Sequence, residues 1–237
     1  MERVVERFSA YGFKTENVLY EKAFMHDGEA SKTLENFMGH IYIQDMSSML
    51  PVAAVRGEIG SIVLDACAAP GSKTTQIADE MGNSGNLVAN DASFSRLKAL
   101  KGNLERCGVM NCIVTSRNVL NFERGIRFDT IFLDAPCSGE GISGADWSEK
   151  KIISCSKLQK NMIIRCFDML KEGGILVYST CTYAPEENEQ VLQHLIEQRE
   201  CIIQKPELGG VKFSGGIQEW KGREFSGEME KCARLWP

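Results

Sequence analysis

The chain has 237 residues, 43% of them apolar and 25% charged, which is the size and balance of one substantial globular domain with room for a small appendage. No apolar run approaches the roughly 18 residues needed to span a bilayer, and Met1-Glu2-Arg3-Val4-Val5-Glu6-Arg7 lacks the apolar core of a secretory signal. The net charge of −5 excludes a uniformly basic nucleic-acid-binding surface, so any such contact has to use a local basic patch or a further part.

Residues 1–40 offer little apolar material: Val4, Val5 and Phe8 suggest one short helix, and Val18-Leu19-Tyr20 a short strand. That is too little to bury a core alone. The segment is expected to be an appendage, or the remnant of a small RNA-binding domain, attached to a main domain over 41–237. From Ser61 onward, strands and helices alternate. Ile62-Val63-Leu64 is an apolar run ending at Asp65, followed by a helical stretch with Ile77, Ala78 and Met81 that Gly82 stops. Leu87-Val88-Ala89 ends at Asn90-Asp91. Ser93 is placed to cap a helix with Leu97, Leu100, Leu104 and Cys107 on one face, stopped by Gly108. Cys112-Ile113-Val114 is a third strand, and Thr130-Ile131-Phe132-Leu133, ending at Asp134, a fourth.

After the glycine-rich loop Ser138-Gly139-Glu140-Gly141, a helix carries Leu158, Met162, Ile163, Cys166 and Leu170 and is expected to stop at Gly173-Gly174. Ile175-Leu176-Val177-Tyr178 is the fifth strand. Pro185 is expected to open a helix with Glu186 and Glu187 in its first turn and Val191, Leu192, Leu195 and Ile196 buried. Cys201-Ile202-Ile203 reads as a weak sixth strand. Continuous apolar strands between amphipathic helices mean a mostly parallel α/β sheet covered on both faces. Ligands of such sheets bind beyond the carboxyl ends of the strands, where Asp65, Asp91, Asp134 and Ser179 lie.

The turn after the first strand, Asp65-Ala66-Cys67-Ala68-Ala69-Pro70-Gly71-Ser72-Lys73-Thr74, is built of small residues that let the backbone approach a ligand. Asp91 is placed to accept hydrogen bonds from ribose hydroxyls. A phosphate loop does not fit, because Ser72 separates Gly71 from Lys73 and Ala66 stands where a glycine is needed. The Gly-x-Gly-x-x-Gly dinucleotide pattern is missing too. S-adenosylmethionine, a nucleoside without a pyrophosphate, remains, against a turn that binds nothing.

Nine cysteines stand at irregular spacings with no Cys-x-x-Cys, which argues against a disulfide framework or a zinc site and for a reducing, cytoplasmic compartment. Two of them, Cys137 and Cys181, follow strand ends rather than strand middles. A thiolate is a nucleophile, so the pair suggests covalent chemistry on an electrophilic carbon, against the bland reading that free cysteines are mostly buried packing. Lys73 is a candidate to lower a thiol pKa, and Asp134 either a functional carboxylate or a cap.

These segments together, with Asp134-Ala135-Pro136-Cys137-Ser138-Gly139, Tyr178-Ser179-Thr180-Cys181-Thr182-Tyr183, Pro185-Glu186-Glu187-Asn188-Glu189 and Gln44-Asp45-Met46-Ser47-Ser48, closely resemble the RsmB/RsmF/Sun family of RNA (cytosine-5)-methyltransferases, from about Gln44 to the last residue. The resemblance implies a Rossmann-like fold with strand order 3-2-1-4-5-7-6, which makes the fourth and fifth strands neighbours. It implies that Cys181 attacks C6 of cytosine and that C5 then takes the methyl group of S-adenosylmethionine. Cys137 would assist release, Asp134 would hydrogen-bond the cytosine ring edge, and Lys73 would support both. For the cofactor it carries over Cys67, Ala68, Ala69, Pro70, Gly71, Ser72 and Lys73 along the methionine moiety, with Asp91 at the ribose, Arg96 and Asp134 nearby, and Asn118 at the adenine amino group. Asn118 stands where the family usually has aspartate, but its amide oxygen can still accept that bond.

The family's Arg-Leu-Trp-Pro leads into a final strand, whereas here Arg234-Leu235-Trp236-Pro237 is the end of the chain, so that strand is expected to be missing. The compact form resembles the short archaeal tRNA methyltransferases most, which makes tRNA the favoured substrate, with rRNA methylation or a non-catalytic RNA-binding relative as alternatives. A thiol hydrolase pairing Cys181 with His194 is a further reading. Candidate RNA contacts are Arg96, Lys98, Lys101 and Arg106 on one helix and Lys150, Lys151, Lys157 and Lys160 on another, and an accessory protein could aid RNA binding.

Overall fold

Five parallel strands carry the apolar runs of the chain: β3 (Ile62–Asp65), β4 (Asn86–Asn90), β5 (Cys112–Thr115), β6 (Phe128–Asp134) and β7 (Leu170–Ser179). The structure is a computed structural model and describes residues 2–123, 125–140 and 148–236; Gly141 of the glycine-rich loop lies outside them. The strand order is β5-β4-β3-β6-β7, so the chain starts in the middle of the sheet, winds outward one way, then crosses back and winds the other. These are the first five places of the expected order. Side chains alternate between the faces, as strands require. Val63, Leu87 and Phe132 pack against α3 (Met46–Ala53) and α4 (Ser72–Glu80), and Ala89 packs against α5 (Leu97–Arg106). Leu64, Ile131 and Leu133 pack on the other face against α6 (Glu149–Asp168) and α7 (Glu189–Gln198).

The helices bury most of the face that their pattern marked, but Leu158 of α6 is exposed and Ile152 is buried in the same helix. Leu97, Leu100 and Leu104 of α5 are buried, and Gly108 follows in the left-handed region at φ +69°. Ser93, however, does not cap α5. A 3-10 turn over Phe94–Arg96 comes first, and the Ser93 hydroxyl bonds Ser95 instead.

Several further expectations are corrected. The sixth helix starts earlier and ends at Asp168, while Leu170 already pairs with Phe128 in the sheet. Gly173 and Gly174 therefore sit inside β7, where the register shifts between Phe128 and Thr130. Gly173 has φ +73°, and a Cβ on Gly174 would lie 2.9 Å from the Asp129 carbonyl oxygen, so this irregular crossing needs glycine. Pro185 to Asn188 form a turn before α7 rather than its first turn. Cys201-Ile202-Ile203 forms no strand and Ile202 is 83% exposed, which leaves β7 at the edge of the main sheet among the described residues.

The N-terminal segment folds as α1 (Glu2–Ala10), a hairpin of β1 (Thr15–Asn17) and β2 (Phe24–His26), and the one-turn α2 (Leu34–Phe37). Val18-Leu19-Tyr20 is the hairpin's turn, not a strand, with Leu19 at φ +60°. Phe8 is fully buried, with the Phe13 and Phe24 rings 5.5 and 5.3 Å away edge-on. The segment is tied to the sheet domain: Gln76 donates to the Tyr20 hydroxyl at 3.0 Å, and Arg106 donates to the carbonyls of Asn36 and Ile41 at 2.7 and 3.2 Å.

Candidate active site

Parallel pairing of β6 with β7 sets Asp134 opposite Ser179 in register. The chain continues three residues to Cys137 on one side and two to Cys181 on the other, and the two sulfurs meet 2.9 Å apart. Cys181 is exposed and Cys137 half-buried. The hydrogen bond from Cys181 lowers Cys137 to about 7, against the opposing effect of burial. The same bond pushes the Cys181 thiol up, and burial and the charges of Cys137 and Asp134 add to that. The pair thus shares one proton, with the first ionisation eased and the second opposed.

Asp134 is held from both sides. Lys73 Nζ lies 2.8 Å from its Oδ2, and the Ser179 hydroxyl donates to its Oδ1 at 2.7 Å. Lys73, 9% exposed, also reaches the Ser48 hydroxyl at 3.3 Å. The Gln44–Ser48 segment therefore contributes to this crevice, and Lys73 is directed to the carboxylate rather than to a thiol. Cys181, Asp134, Lys73 and Ser48 line one groove of roughly 2230 Å3, which continues along the open edge of β7.

The nucleotide end lies beside them. Asp91 is buried; its Oδ2 accepts from the Ala69 amide at 3.1 Å and its Oδ1 from the Ser93 amide at 2.9 Å. Arg96 pairs with Asp91 at 3.1 Å and donates to the Ala69 carbonyl, so it braces the turn after β3. Gly71, at φ +111°, ends that turn as the residue before α4. Ala66, Ala68 and Ala69 are buried while Pro70 is exposed and Ser72 half-buried. Cys67 is pushed well up by burial, which makes it a poor nucleophile. Asp65, deep under the turn, is raised to about 6 by burial and accepts from the Thr74 hydroxyl at 2.7 Å. Asn118 is exposed and its Oδ1 caps the next turn by accepting from the Leu120 amide at 3.0 Å. These residues fit S-adenosylmethionine: a buried carboxylate at the second strand end retains lone pairs for ribose hydroxyls, and the small side chains of the turn leave its backbone open to a ligand.

Residues 53–225 match the family described as 16S rRNA methyltransferase RsmB/F. The chain belongs to the RsmB/RsmF family of RNA (cytosine-5)-methyltransferases. It is 39% identical over 219 residues to a tRNA (cytosine(49)-C(5))-methyltransferase of Pyrococcus abyssi, a match covering 90% of this chain and 70% of that protein. It is 42% identical over 213 residues to ribosomal RNA small subunit methyltransferase F of Vibrio campbellii, covering 83% of this chain but 45% of that protein. Among solved structures, a methyltransferase homolog protein from Pyrococcus horikoshii superimposes with a TM-score of 0.84 at 36% identity, over 99% of this chain and 76% of that one. NSun6 from the same organism gives 0.69 at 31% identity, over 77% and 50%. The family fold is the Rossmann-like α/β methyltransferase fold and its methyl donor is S-adenosylmethionine.

Several features were beyond the reach of the sequence. The sequence does not mark Ser48 and Ser179 as the partners of Lys73 and Asp134, although two adjacent strands ending in Asp134 and Ser179 carry a signal for the second. Arg106, a candidate RNA contact, is instead spent on the N-terminal segment. Lys98 and Lys101 are exposed, and Lys157 and Lys160 line a separate groove of about 360 Å3 with His194. His194 thus belongs to a different site from Cys181. The described residues contain no group of metal-ligating side chains, and no described helix is long and apolar enough to cross a membrane.

Proposed function

We propose that this chain transfers a methyl group to C5 of cytosine in RNA, with tRNA as the substrate class. The observation that carries the reading is the crevice in which an exposed thiol, a second thiol 2.9 Å away and a braced carboxylate converge at two neighbouring strand ends. S-adenosylmethionine, when bound, supplies the electrophilic methyl group. C5 of cytosine is a poor nucleophile until a thiol adds at C6. Cys181, the exposed sulfur, forms the S–C6 bond. Cys137, the more acidic thiol, acts as its thiolate and takes the proton that Cys181 loses. The electron pair of the C5–C6 double bond becomes available at C5 for the methyl group. Transfer of the C5 proton to water lets the C5–H electron pair re-form the C5–C6 double bond while the S–C6 pair leaves on Cys181 sulfur, and Cys137 assists by returning its proton to that thiolate. Asp134, oriented by Lys73 and Ser179, meets the ring edge where charge develops. The target base has to be unpaired or extruded to reach these groups.

The tRNA assignment rests on the Pyrococcus abyssi relative, which this chain matches over 90% of its own length. The rRNA alternative is favoured by the relatives named ribosomal RNA small subunit methyltransferase F, which are 42–47% identical over shorter shares of their length. Residues 1–40, packed on α4 and α5, are read as a small accessory unit on a catalytic domain over 41–237. Incubation with labelled S-adenosylmethionine and unmodified tRNA or ribosomal RNA, then nucleoside mapping, tests the reading. Label at cytosine C5 of tRNA is expected. Label on rRNA alone transfers the assignment to rRNA, and label at another base position or on protein overturns it.

A further inference from the structure

The turn between β7 and α7 grips both cysteine loops with consecutive residues. Glu187 is fully buried. Its carboxylate accepts from the Ser138 amide, next to Cys137, with Oε2 at 3.0 Å, and from Gln159 Nε2 at 2.8 Å. The same Gln159 nitrogen donates to the Pro136 carbonyl at 2.9 Å. The residues on both sides of Cys137 are therefore tied to one carboxylate and its amide partner. Asn188 does the same for the other loop. Its Oδ1 accepts from the Thr180 hydroxyl at 2.7 Å, and its Nδ2 donates to the carbonyls of Thr182 and Ala184 at 3.0 and 2.9 Å. Thr180 and Thr182 flank Cys181. The turn is itself anchored, since the Tyr178 hydroxyl donates to the Glu187 carbonyl at 2.6 Å and the Ser156 hydroxyl donates to that of Glu186 at 2.5 Å. A Ser138–Thr182 hydroxyl contact of 3.0 Å closes the bracket between the loops.

We propose that Glu187 and Asn188 are positioning residues that together set the approach of the two cysteine sulfurs, Glu187 by holding the Cys137 loop and Asn188 by holding the Cys181 loop. The grip does not depend on which RNA is methylated; its consequence for turnover rests on the cytosine-5 reading above. The two residues differ in one respect. Glu187 carries a charge that opposes thiolate formation at Cys137, whereas Asn188 only keeps the donor Cys181 in place. The other groups facing the sulfur pair are Asp134 from β6, Cys155 from α6, Tyr178 from β7, and Glu140, which Thr182 reaches at 3.5 Å.

Two consecutive residues with opposite effects make the test sharp. In the full chain, the alkylation rate of Cys137 by iodoacetamide is followed across pH by peptide mass spectrometry. E187Q keeps an oxygen for the Ser138 amide but removes the charge, so the Cys137 midpoint is expected to fall by about half a pH unit or more. N188A frees the Cys181 loop, so the midpoint is expected to rise by at least about half a unit as the thiol donor is lost. Should N188A fail to fold by thermal melting, T180V removes the 2.7 Å bond from the same loop and carries that arm. Shifts of the same sign in both variants, or no shift in either, overturn the proposal. In single-turnover reactions with unmodified tRNA, N188A is expected to slow formation of the protein–RNA adduct, and E187A its release, each by roughly tenfold, the scale of one lost hydrogen bond. Equal slowing of both steps by both variants overturns the division of roles. If the unaltered protein forms no adduct at all, the cytosine-5 reading fails while the alkylation arm still decides the grip.

Discussion

Replacing Cys181 by alanine removes the group that most strongly lowers Cys137. Burial then disfavours its thiolate, with the Glu187 charge adding to that, while the backbone amides at positions 181 and 139 still favour it. The Cys137 midpoint is therefore expected to climb from about 7 to near the ordinary thiol value of about 8.5. At pH 7 the thiolate fraction then falls from about one half to about 3%, a loss of roughly fifteenfold in alkylation rate. Cys181→Ser keeps a hydroxyl donor on the same loop and is expected to hold the midpoint near that of the unaltered protein, which separates loss of the hydrogen bond from loss of packing. The assay is site-resolved alkylation between pH 5.5 and 9.5, with Cys107 of the same molecule as the internal reference. A Cys137 midpoint in Cys181→Ala within about 0.3 units of the unaltered protein would refute the shared proton, since one pKa unit is about 1.4 kcal/mol of differential stabilisation.

Cys181→Ala is expected to abolish methyl transfer, whereas Cys137→Ala should accumulate a covalent protein–RNA adduct on a denaturing gel; adduct in the first variant and none in the second would reverse the roles. Asp91→Ala removes the acceptor of two backbone amides and the proposed ribose contact, so S-adenosylmethionine should bind about 10- to 100-fold more weakly by calorimetry. Arg234 and Glu189 form a buried two-bond pair, 8% and 2% exposed, and Arg234 also donates to the Tyr183 carbonyl at 2.9 Å. Arg234→Ala leaves that carboxylate buried without its counter-ion, with the Ile217 amide at 2.9 Å still donating to it, at a cost of about 3–5 kcal/mol, which calorimetric melting should read as a drop of roughly 6–20 °C; a drop of under two degrees would mean that water reaches Glu189.

The strand–helix alternation was legible because both signals are local. Val63, Leu64, Ile131 and Leu133 sit in unbroken apolar runs, as strands buried on both faces must, and the helices between them have a 3.6-residue apolar period. The misplacements share a different cause. Gly173-Gly174 reads as a helix stop in sequence, yet the glycines serve a crossing of β6 and β7 that depends on the distant pairing of Phe128 with Leu170. Cys201-Ile202-Ile203 has the composition of a strand, but β-propensity expresses packing against neighbours, and among the described residues β7 pairs with β6 alone. Val18-Leu19-Tyr20 also has the composition of a strand, but it forms a turn whose Tyr20 hydroxyl meets Gln76 on α4.

The candidate site divides along the same line. That two thiols would open into one crevice followed from their places beyond strand ends, once β6 and β7 are neighbours. That they would share a proton did not follow, because it depends on a contact of 2.9 Å between loops more than forty residues apart in sequence. The acidity also falls on the less exposed sulfur, which separates two properties usually sought in one nucleophile. Cys137 holds the charge where Gln159 and Glu187 fix its loop, and Cys181 holds the access. In the proposed reaction a neutral Cys181 thiol beside a thiolate approaches a base without first carrying a desolvated charge into the crevice, and would give up its proton only as the S–C6 bond forms. On this account the transfer rate should rise with pH through about 7 and level off above it, following Cys137 rather than Cys181. A rate that keeps rising tenfold per unit to pH 9 would place the decisive ionisation on Cys181 instead.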